Sequence, residues 1–278
     1  MNTTPSETHL DYNRNIKTFI RWAGGKRQLL PELVRRLPQK PINRYFEPFL
    51  GGGALFLALS NRLREAHLSD LNYDLMLSWR TIQKQVEPLL YLLRQHAEKH
   101  SSEYYYHIRN HNNLIDPLEQ AARFIYLNKT CFNGVYRVNK DGVFNVPMGR
   151  PRANIADMNN LMQCSQVLKS AQLRCRDFRE IDAGKGDFVY FDPPYHFVDN
   201  KGFTGYTAGG FNEVDQKALH DFAVELHHRG VYVMISNSDT AFIRSLYREP
   251  IFKTDGLLVG RSINHSQAKE VMITSYKY

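Results

Sequence analysis

Length, composition and charge limit what this chain can be. With 278 residues it can bury a large core, and it is near the size at which one core gives way to two domains. Lysine and arginine exceed aspartate and glutamate by 36 to 28, a net charge of +8 that favours a polyanionic partner. The polar N-terminus and the lack of an apolar stretch of about 18 residues argue against secretion and a membrane partner, so we expect a cytoplasmic protein. Three cysteines without C-x-x-C spacing predict free thiols.

A glycine turn follows the first predicted strand. The run 46–53 ends this strand in three consecutive glycines, and an apolar helix start follows at 54–59. Glycines at such a turn let the backbone come close to a ligand. The second strand, 66–69, ends at Asp70, whose carboxylate can accept hydrogen bonds from a ribose. These elements form the first half of a nucleotide-binding βαβ unit, although the dinucleotide fingerprint would need glycine where the chain has Phe56.

An insert separates the second predicted strand from the next convincing one, 172–176. About a hundred residues lie between them, far more than a crossover helix requires. Apolar residues recur at helical spacing over 75–99 and 117–127, so the insert begins as helices. His96 and His100 lie one helical turn apart, and we interpret them as a solvated helix face rather than a metal site.

The second half of the insert is basic and has the pattern of a hairpin. Segments 135–138 and 143–146 have the composition of two short strands around an Asp-Gly turn. Half of the net charge is concentrated between residues 128 and 153, where a single acid, Asp141, faces Lys129, Arg137, Lys140, Arg150 and Arg152. A second basic cluster near the N-terminus consists of Arg14, Lys17, Arg21, Lys26 and Arg27. A basic hairpin on a helical platform can enter a DNA groove, and the alternative is an ordinary hairpin at a domain edge with a solvated basic surface.

The α/β pattern resumes after the insert. The sequence predicts a strand at 187–191, a helix at 213–228 and a strand at 231–235. Apolar segments around 251–252 and 271–273 are candidates for the last strands. Strands of one predicted sheet lie both before and after the insert. This order implies one α/β catalytic domain with one inserted recognition domain.

The strand at 187–191 stops at Asp192, which is followed by two prolines and a tyrosine. Pro194 has no N–H and biases Pro193 toward an extended conformation, so the Pro193 carbonyl lacks a ladder partner and can point into a crevice. This carbonyl and the Asp192 carboxylate are two fixed acceptors, and Tyr195 adds a flat aromatic face. The arrangement fits an exocyclic amino group on a planar ring, whereas the alternative is an ordinary strand end with a structural aspartate.

Three separated motifs together resemble one enzyme family. The run 49–53, Phe-x-Gly-x-Gly, resembles motif I of the S-adenosylmethionine methyltransferases, and the run 192–195, Asp-Pro-Pro-Tyr, resembles motif IV of the amino-methylating DNA enzymes among them. With segment 20–26 upstream of motif I, the chain is similar to a Dam-type DNA adenine-N6 methyltransferase with the motif order of the alpha group. The resemblance leaves roughly the first ten to fifteen residues as an unmatched polar leader and otherwise covers most of the chain, including segments 127–128, 132–137, 144–150, 235–237 and 261–263.

The resemblance implies a fold, a cofactor and a reaction. The fold is a Rossmann-like methyltransferase sheet with an inserted helical DNA-recognition domain that carries a β-hairpin; the catalytic parts are 1–75 and 161–278, and the insert is 76–160. The cofactor is S-adenosylmethionine, without a metal, and the reaction is direct in-line transfer to adenine N6 after base flipping. The catalytic residues implied are Asp192, Pro193, Pro194 and Tyr195. The cofactor residues implied are Trp22, Lys26, Phe49, Gly51, Gly53, Asp70, Asp177, Phe178 and Asp192. For Asp177 and Phe178, a turn aspartate followed by a core phenylalanine is the alternative.

The same resemblance implies how DNA is recognised. Related Dam-type enzymes methylate GATC, and Arg137 on the hairpin is suited to a bidentate contact with guanine. The other residues that match their base-reading elements are Arg21, Phe132, Val135 and Pro147, whereas Asn133, Lys140 and Arg150 are expected to contact phosphates. The chain departs from the family at Val135, Tyr136 and Pro151, where members vary, and at Arg21, where some have lysine. The partners implied are double-stranded DNA and a cognate restriction endonuclease, for an enzyme that acts as a monomer at the nucleoid.

Two other functions remain open on the sequence. The first is methylation of another amino group, on DNA cytosine, an RNA base or a protein glutamine, by an enzyme with a related motif IV. Aspartate rather than asparagine at position 192 and the basic hairpin favour DNA adenine. The second is a non-catalytic DNA-binding module of the same fold, against which the intact motifs argue and from which binding of S-adenosylmethionine would distinguish the enzyme.

Overall fold

A seven-stranded sheet forms the centre of the computed structural model, which describes residues 12–150, 154–196, 210–260 and 267–278. The strands are β1 Tyr45–Glu47, β2 Ala66–Asp70, β3 Ala171–Cys175, β4 Phe188–Phe191, β5 Tyr232–Ser238, β6 Lys253–Gly260 and β7 Gln267–Thr274. Residues Pro151 and Arg152, the segment 261–263 and the polar leader up to residue 11 lie outside the described residues.

The sheet order is β3-β2-β1-β4-β5-β7-β6, with five parallel strands and β7 antiparallel to both of its neighbours. The first five positions match the order of doubly wound nucleotide-binding sheets, in which ligands bind beyond the carboxyl ends of the strands where the order reverses. That switch point lies between β1 and β4, which pair through Tyr45 and Phe188. The predicted α/β sheet is confirmed, and the glycine turn after β1 adjoins Asp192 after β4.

Nine α-helices are present among the described residues. They are α1 Leu30–Arg35, α2 Ala54–Leu59, α3 Tyr73–Lys84, α4 Val86–Glu98, α5 Ser102–Asn110, α6 Pro117–Thr130, α7 Met158–Leu168, α8 Glu213–His228 and α9 Ala241–Leu246. Local chemistry sets their starts: the Asn72 side chain caps α3, and Asn212 forms a capping box with Asp215 at α8. Within the four described ranges, none of the helices is long and apolar enough to cross a membrane.

Helices α3 to α7 lie between β2 and β3 in the sequence. Helices α3 and α7 pack against the sheet at β3, whereas α4 and α5 pack on α6. The buried side chains of this segment, such as Tyr105 and Ile125, belong to the same hydrophobic cluster as Leu55 and Tyr190 of the sheet layer. This helical segment is therefore joined to one face of the sheet by a continuous core.

The predicted hairpin has less pairing than its sequence indicates. A single isolated bridge joins Val138 to Phe144, in place of two four-residue strands. The reason is that the second arm pairs elsewhere: the Pro147 carbonyl accepts from the Phe132 N–H at 2.9 Å, and the Val146 carbonyl accepts from the Tyr105 hydroxyl at 2.9 Å. The expected Asp-Gly turn is present, with Gly142 in the left-handed region at φ 76°.

Several other expectations were wrong in detail. His96 is not on a solvated face, because its Nδ1 lies 2.8 Å from the Tyr104 hydroxyl and its ring stacks on Tyr126, and burial lowers the pKa of His96 to about 4. Lys129 is buried, with Nζ donating to the Asn154 carbonyl at 2.7 Å, so it adds nothing to a basic surface. Strand β6 begins at Lys253, just after the apolar pair 251–252. The prediction for the cysteines, in contrast, is confirmed, because all three are free thiols.

Candidate active site

The Asp192 carboxylate lies at the carboxyl end of β4 and is held by two donors. Its Oδ1 is 2.8 Å from Lys26 Nζ and accepts a hydrogen bond of 2.7 Å from the Ser236 hydroxyl. Ser236 is fully buried on β5 and is itself 3.0 Å from the Tyr190 hydroxyl. The position of this serine on the neighbouring strand therefore fixes the orientation of the carboxylate.

Lys26 joins the predicted cofactor segment to the predicted catalytic motif. Its side chain is 6% exposed, its ammonium also donates to the Gly24 carbonyl, and Nζ lies 4.7 Å from the centre of the Tyr195 ring. A cation is thus placed between a carboxylate and an aromatic face. The sequence placed Lys26 in the cofactor site and did not predict its pairing with Asp192.

Tyr195 is held by a residue of β7, which lies two strands away from β4 in the sheet. Its hydroxyl donates to Glu270 Oε2 on β7 at 2.8 Å, and burial together with the charge of Asp192 raises the pKa of Tyr195 well above its ordinary value. The ring is therefore neutral at physiological pH. Pro193, between Asp192 and Tyr195, is buried.

Asp70 lies at the end of β2 and binds the glycine turn. Its Oδ2 accepts from the Gly51 N–H at 3.0 Å and its Oδ1 accepts from the Asn72 N–H at 3.0 Å, while burial raises the pKa of Asp70. Gly51 and Gly53 have φ values of 47° and 62°, a region that favours glycine. The end of β2 and the turn after β1 thus form one unit.

The two glycines of the turn are required by neighbouring tryptophans as well. A Cβ on Gly51 would lie 2.6 Å from the Trp22 ring, and a Cβ on Gly53 would lie 2.8 Å from the Trp79 ring. Trp79 also donates to the Gly51 carbonyl at 3.1 Å. The sequence analysis assigned these glycines to ligand approach alone, and the structure adds this packing requirement.

Trp22 contacts the hairpin segment. Its ring stacks on Tyr136 with centroids 5.6 Å apart, and the Tyr136 hydroxyl donates to Asp74 Oδ2 at 3.1 Å. A residue that the sequence places in the cofactor site therefore packs directly on the predicted DNA-recognition segment. Tyr136 provides this contact.

Glu47 is a buried acid that the sequence analysis did not place in the site. It ends β1, is 3% exposed, and its Oε2 accepts from the Tyr45 hydroxyl at 2.8 Å and from the Phe56 N–H at 3.2 Å. Burial, reinforced by the negative charge of Asp192, raises the pKa of Glu47 to about 8. The signal available in the sequence was an acid at a strand end just before the glycine turn.

Asp177 and Phe178 lie in a short turn that follows β3. Asp177 caps the short 3₁₀ turn Phe178–Glu180, and its Oδ1 lies 2.6 Å from Arg179 Nε. Phe178 is 4% exposed and stacks on Phe49 with centroids 5.4 Å apart. Phe49 is half-buried and thus retains an accessible surface.

Asn128 brings several predicted DNA contacts together. It is buried on α6, accepts from the Arg21 N–H at 2.8 Å, and donates to the Arg21 and Gly134 carbonyls at 2.8 and 3.2 Å. In the turn that it anchors, Phe132 is 55% exposed and Asn133 has a φ of 55°. Arg21 therefore lies against the turn that contains these two residues, and Pro147 joins them through its bond to the Phe132 N–H.

Arg137 lies on the outer side of the hairpin. Its side chain is exposed, and Nε donates to Asn145 Oδ1 at 2.8 Å. Lys140 and Arg150 are exposed as well, and Val135 is half-buried. The exposed cations of this segment are therefore available to a polyanion.

Comparison with known proteins identifies the family. The model of the D12 class of N6 adenine-specific DNA methyltransferases matches residues 22–260. The chain belongs to this family. This methyltransferase is 37% identical to a Type II methyltransferase of Lactococcus lactis subsp. cremoris, over 94% of the chain and 96% of the relative. It is 38% identical to a Type II methyltransferase of Methanocaldococcus jannaschii, over 90% and 93%, and 31% identical to a DNA adenine methylase of Haemophilus influenzae, over 97% and 95%.

Membership of the family makes the protein an adenine-specific DNA methyltransferase and DNA its substrate. It also implies S-adenosylmethionine as the methyl donor. The polar side chains at the switch point fit such a ligand. The Asp70 carboxylate can accept hydrogen bonds from ribose hydroxyls, and the Lys26 ammonium can bind a carboxylate.

Proposed function

We propose that the enzyme methylates adenine N6 within GATC in double-stranded DNA, using S-adenosylmethionine and a target base extruded from the duplex. The observation that carries the proposal is the position of Asp192. Its carboxylate, oriented by Lys26 and Ser236, lies beside the Tyr195 ring at the switch point of the sheet, next to the glycine turn bound by Asp70. This is where a planar amine and a nucleoside-containing ligand would meet.

The cofactor site is proposed to extend along the carboxyl edge of the sheet, from Asp70 at the end of β2 to Asp192 after β4. When bound, S-adenosylmethionine supplies a methyl group activated by a sulfonium charge. In this proposal Asp70 accepts hydrogen bonds from the ribose, and Lys26 binds the methionine carboxylate while remaining close to Asp192. The remaining contacts are proposed for Trp22, Phe49, Gly51, Gly53 and Asp192, with Asp177 and Phe178 at the margin.

The catalytic step is proposed to depend on two fixed acceptors. Adenine's amino nitrogen is a poor nucleophile because its lone pair is delocalised into the ring. If Asp192 and the Pro193 carbonyl accept its two N–H bonds, the lone pair localises and positive charge developing in the transition state is stabilised. Pro194 sets the shape of this turn, and Tyr195 stacks on the base.

Base extrusion follows from the same geometry. A carboxylate held at a strand end cannot reach an amino group inside a duplex, so the base must leave the stack, at a cost of a few kcal/mol. Stacking on Tyr195 offsets roughly 1–3 kcal/mol of this cost. The hydroxyl bond to Glu270 fixes the plane of the ring before the base arrives.

The insert, 76–160, is proposed to be the DNA-recognition domain. Its outer hairpin presents Arg137, which Asn145 orients toward a bidentate contact with guanine. The turn anchored by Asn128 presents an exposed phenylalanine and Arg21 on the same side. We assign base reading to Arg21, Phe132, Val135, Arg137 and Pro147, and phosphate contacts to Asn133, Lys140 and Arg150.

The proposed biological setting is a single catalytic subunit that acts on chromosomal DNA in the cytoplasm. Two of the relatives are named Type II methyltransferases, which supports a cognate restriction endonuclease as a partner. The DNA substrate supports a location at the nucleoid. Acting as a monomer is consistent with cofactor and catalytic groups that all come from one chain.

Nuclease protection tests the proposed function. Duplex DNA incubated with the pure protein and S-adenosylmethionine should become resistant to a nuclease that is blocked by GATC methylation. It should become sensitive to one that requires this methylation. DNA treated with the Asp192→Ala variant is the control and should remain largely unmethylated over the time in which the wild-type enzyme completes the reaction. Protection at another sequence would overturn the GATC assignment, and no transfer to adenine would overturn the proposal as a whole.

A further inference from the structure

A buried pair of side-chain amides lies behind the catalytic motif. Gln216 on α8 and Asn237 on β5 are both 0% exposed. Gln216 Oε1 accepts from Asn237 Nδ2 at 3.0 Å, which links the helix to the strand. Neither residue belongs to the motif itself, and the function proposed above assigns no role to either.

The amide pair holds the backbone on both sides of Tyr195. Gln216 Nε2 donates to the Pro194 carbonyl at 2.9 Å, and Asn237 Oδ1 accepts from the His196 N–H at 3.1 Å. The peptide before Tyr195 and the peptide after it are therefore both bound to one hydrogen-bonded unit. The His196 ring is held too, with Nδ1 3.0 Å from the Thr240 hydroxyl.

The sequence of the motif explains why such a clamp is needed. Pro193 and Pro194 have no N–H, so this stretch cannot be fixed by donating to a neighbouring strand. Buried carbonyl and N–H groups must still be paired, and a misplaced acceptor loses catalytic effect steeply with distance. A side-chain amide has both a donor and an acceptor, so Gln216 can donate to the Pro194 carbonyl and accept from Asn237, which in turn accepts from the His196 N–H.

We infer that Gln216 and Asn237 are positioning residues for methyl transfer. They fix the two peptides that flank Tyr195, and through them the plane of its ring and the direction of the Pro193 carbonyl. This inference rests on the proposed function, because it assumes that the ring and the carbonyl receive the target base. Their effect is on the chemical step and not on binding of cofactor or duplex.

The test compares Gln216→Glu with a matched change elsewhere. Gln216→Glu keeps the size and the acceptor of the side chain and, when ionised, removes the donor to Pro194, whereas Gln216→Met removes the donor at any pH. Gln83→Glu is the control, because Gln83 Nε2 also donates to backbone carbonyls, those of Leu168 at 2.7 Å and Ala171 at 2.8 Å, away from the motif. Both changes remove amide-to-carbonyl bonds and place a carboxylate near carbonyl oxygens.

Single-turnover kinetics with a GATC duplex give the readout, scaled to the active-site concentration of each preparation. For Gln216→Glu the rate constant should fall at least about tenfold, or about 1.4 kcal/mol in activation free energy. Dissociation constants for S-adenosylmethionine and duplex should stay within about twofold of wild type, and Gln83→Glu should keep the wild-type rate constant. Gln216→Met, which buries no charge and cannot donate, is measured beside Gln216→Glu with the same expected loss.

Two results would overturn the inference. One is a rate constant for the Gln216 variants within about twofold of wild type; the other is an equal loss in the Gln83 control, which would indicate a general stability effect. In both results the wild-type enzyme still methylates GATC, so the proposed function stands. Absence of adenine methylation by the wild-type protein would instead refute the proposed function.

Discussion

Replacing Asp192 by alanine is expected to separate catalysis from DNA binding. The change removes one of the two proposed acceptors from the transition state and leaves the hairpin, with Arg137 and Lys140, untouched. Loss of one preorganised group of this kind typically costs about 10²–10³ in kcat, or about 2.7–4 kcal/mol. Duplex affinity should remain close to that of the wild type, because phosphate contacts by exposed cations supply most of it.

The same substitution should destabilise the fold for a different reason. Lys26 has a side chain that is only 6% exposed, and in Asp192→Ala its ammonium loses a carboxylate at 2.8 Å. Removing one partner of a buried pair costs about 3–5 kcal/mol. Because the Asp192 side chain is 20% exposed and the Gly24 carbonyl still accepts, we expect the lower end of that range.

A double variant separates the two effects. Adding Lys26→Met to Asp192→Ala removes the unpaired cation, so the free energy of unfolding in urea should recover while methyl transfer should not. Transfer is measured with labelled S-adenosylmethionine in single turnover, and duplex binding by titration. Turnover of Asp192→Ala above about a tenth of wild type, equivalent to a loss below about 1.4 kcal/mol, would refute the catalytic role. A double variant no more stable than Asp192→Ala would refute the account of the ion pair.

Three further changes test other parts of the site. Asp70→Ala should weaken S-adenosylmethionine binding by roughly 1–3 kcal/mol, and unchanged affinity in calorimetry would leave Asp70 with only its bonds to the glycine turn. Arg137→Ala should reduce the preference for GATC over sites altered at the contacted guanine, whereas Lys140→Ala should slow methylation of both kinds of site alike. If the ratio of the two rates in Arg137→Ala equals that of the wild type, Arg137 does not read the base. The raised pKa of Glu47 contributes stability that is fully present below its ordinary value of 4.5 and is lost as the pH rises toward about 8. Glu47→Gln should therefore flatten the fall in the free energy of unfolding between these two pH values. A fall identical to that of the wild type would show that Glu47 does not cause it.

The strands around the site could be predicted because their signals are local. Buried parallel strands are short apolar runs, and here β2 and β4 each end in an acid, Asp70 and Asp192, that marks the boundary. Helix α8 was predicted at its observed bounds, Glu213–His228, and the structure shows that Asn212 caps it. Helices α1 and α9, with six residues each, contain too few periods to be recognised alone, whereas α2, of the same length, was predicted from the glycine turn before it.

The contacts that assemble the site could not be predicted because they join distant parts of the chain. Lys26 meets Asp192 across 166 positions of sequence, and no spacing rule connects them. The hairpin was overestimated because strand composition does not reveal that the Val146 carbonyl is taken by Tyr105. His96 was misjudged for the same reason: its surroundings depend on Tyr126, which comes from another helix.

Nucleoside analysis of methylated DNA is the most direct test of the central claim that the Asp192 site methylates adenine N6. A duplex with one GATC site would be incubated with the protein and S-adenosylmethionine, digested to nucleosides and examined by mass spectrometry. We predict N6-methyldeoxyadenosine as the product, up to one per strand, and at early times about a hundredth of that amount or less with Asp192→Ala. N4-methyldeoxycytidine, or no methylated nucleoside from a protein that binds S-adenosylmethionine, would contradict the account.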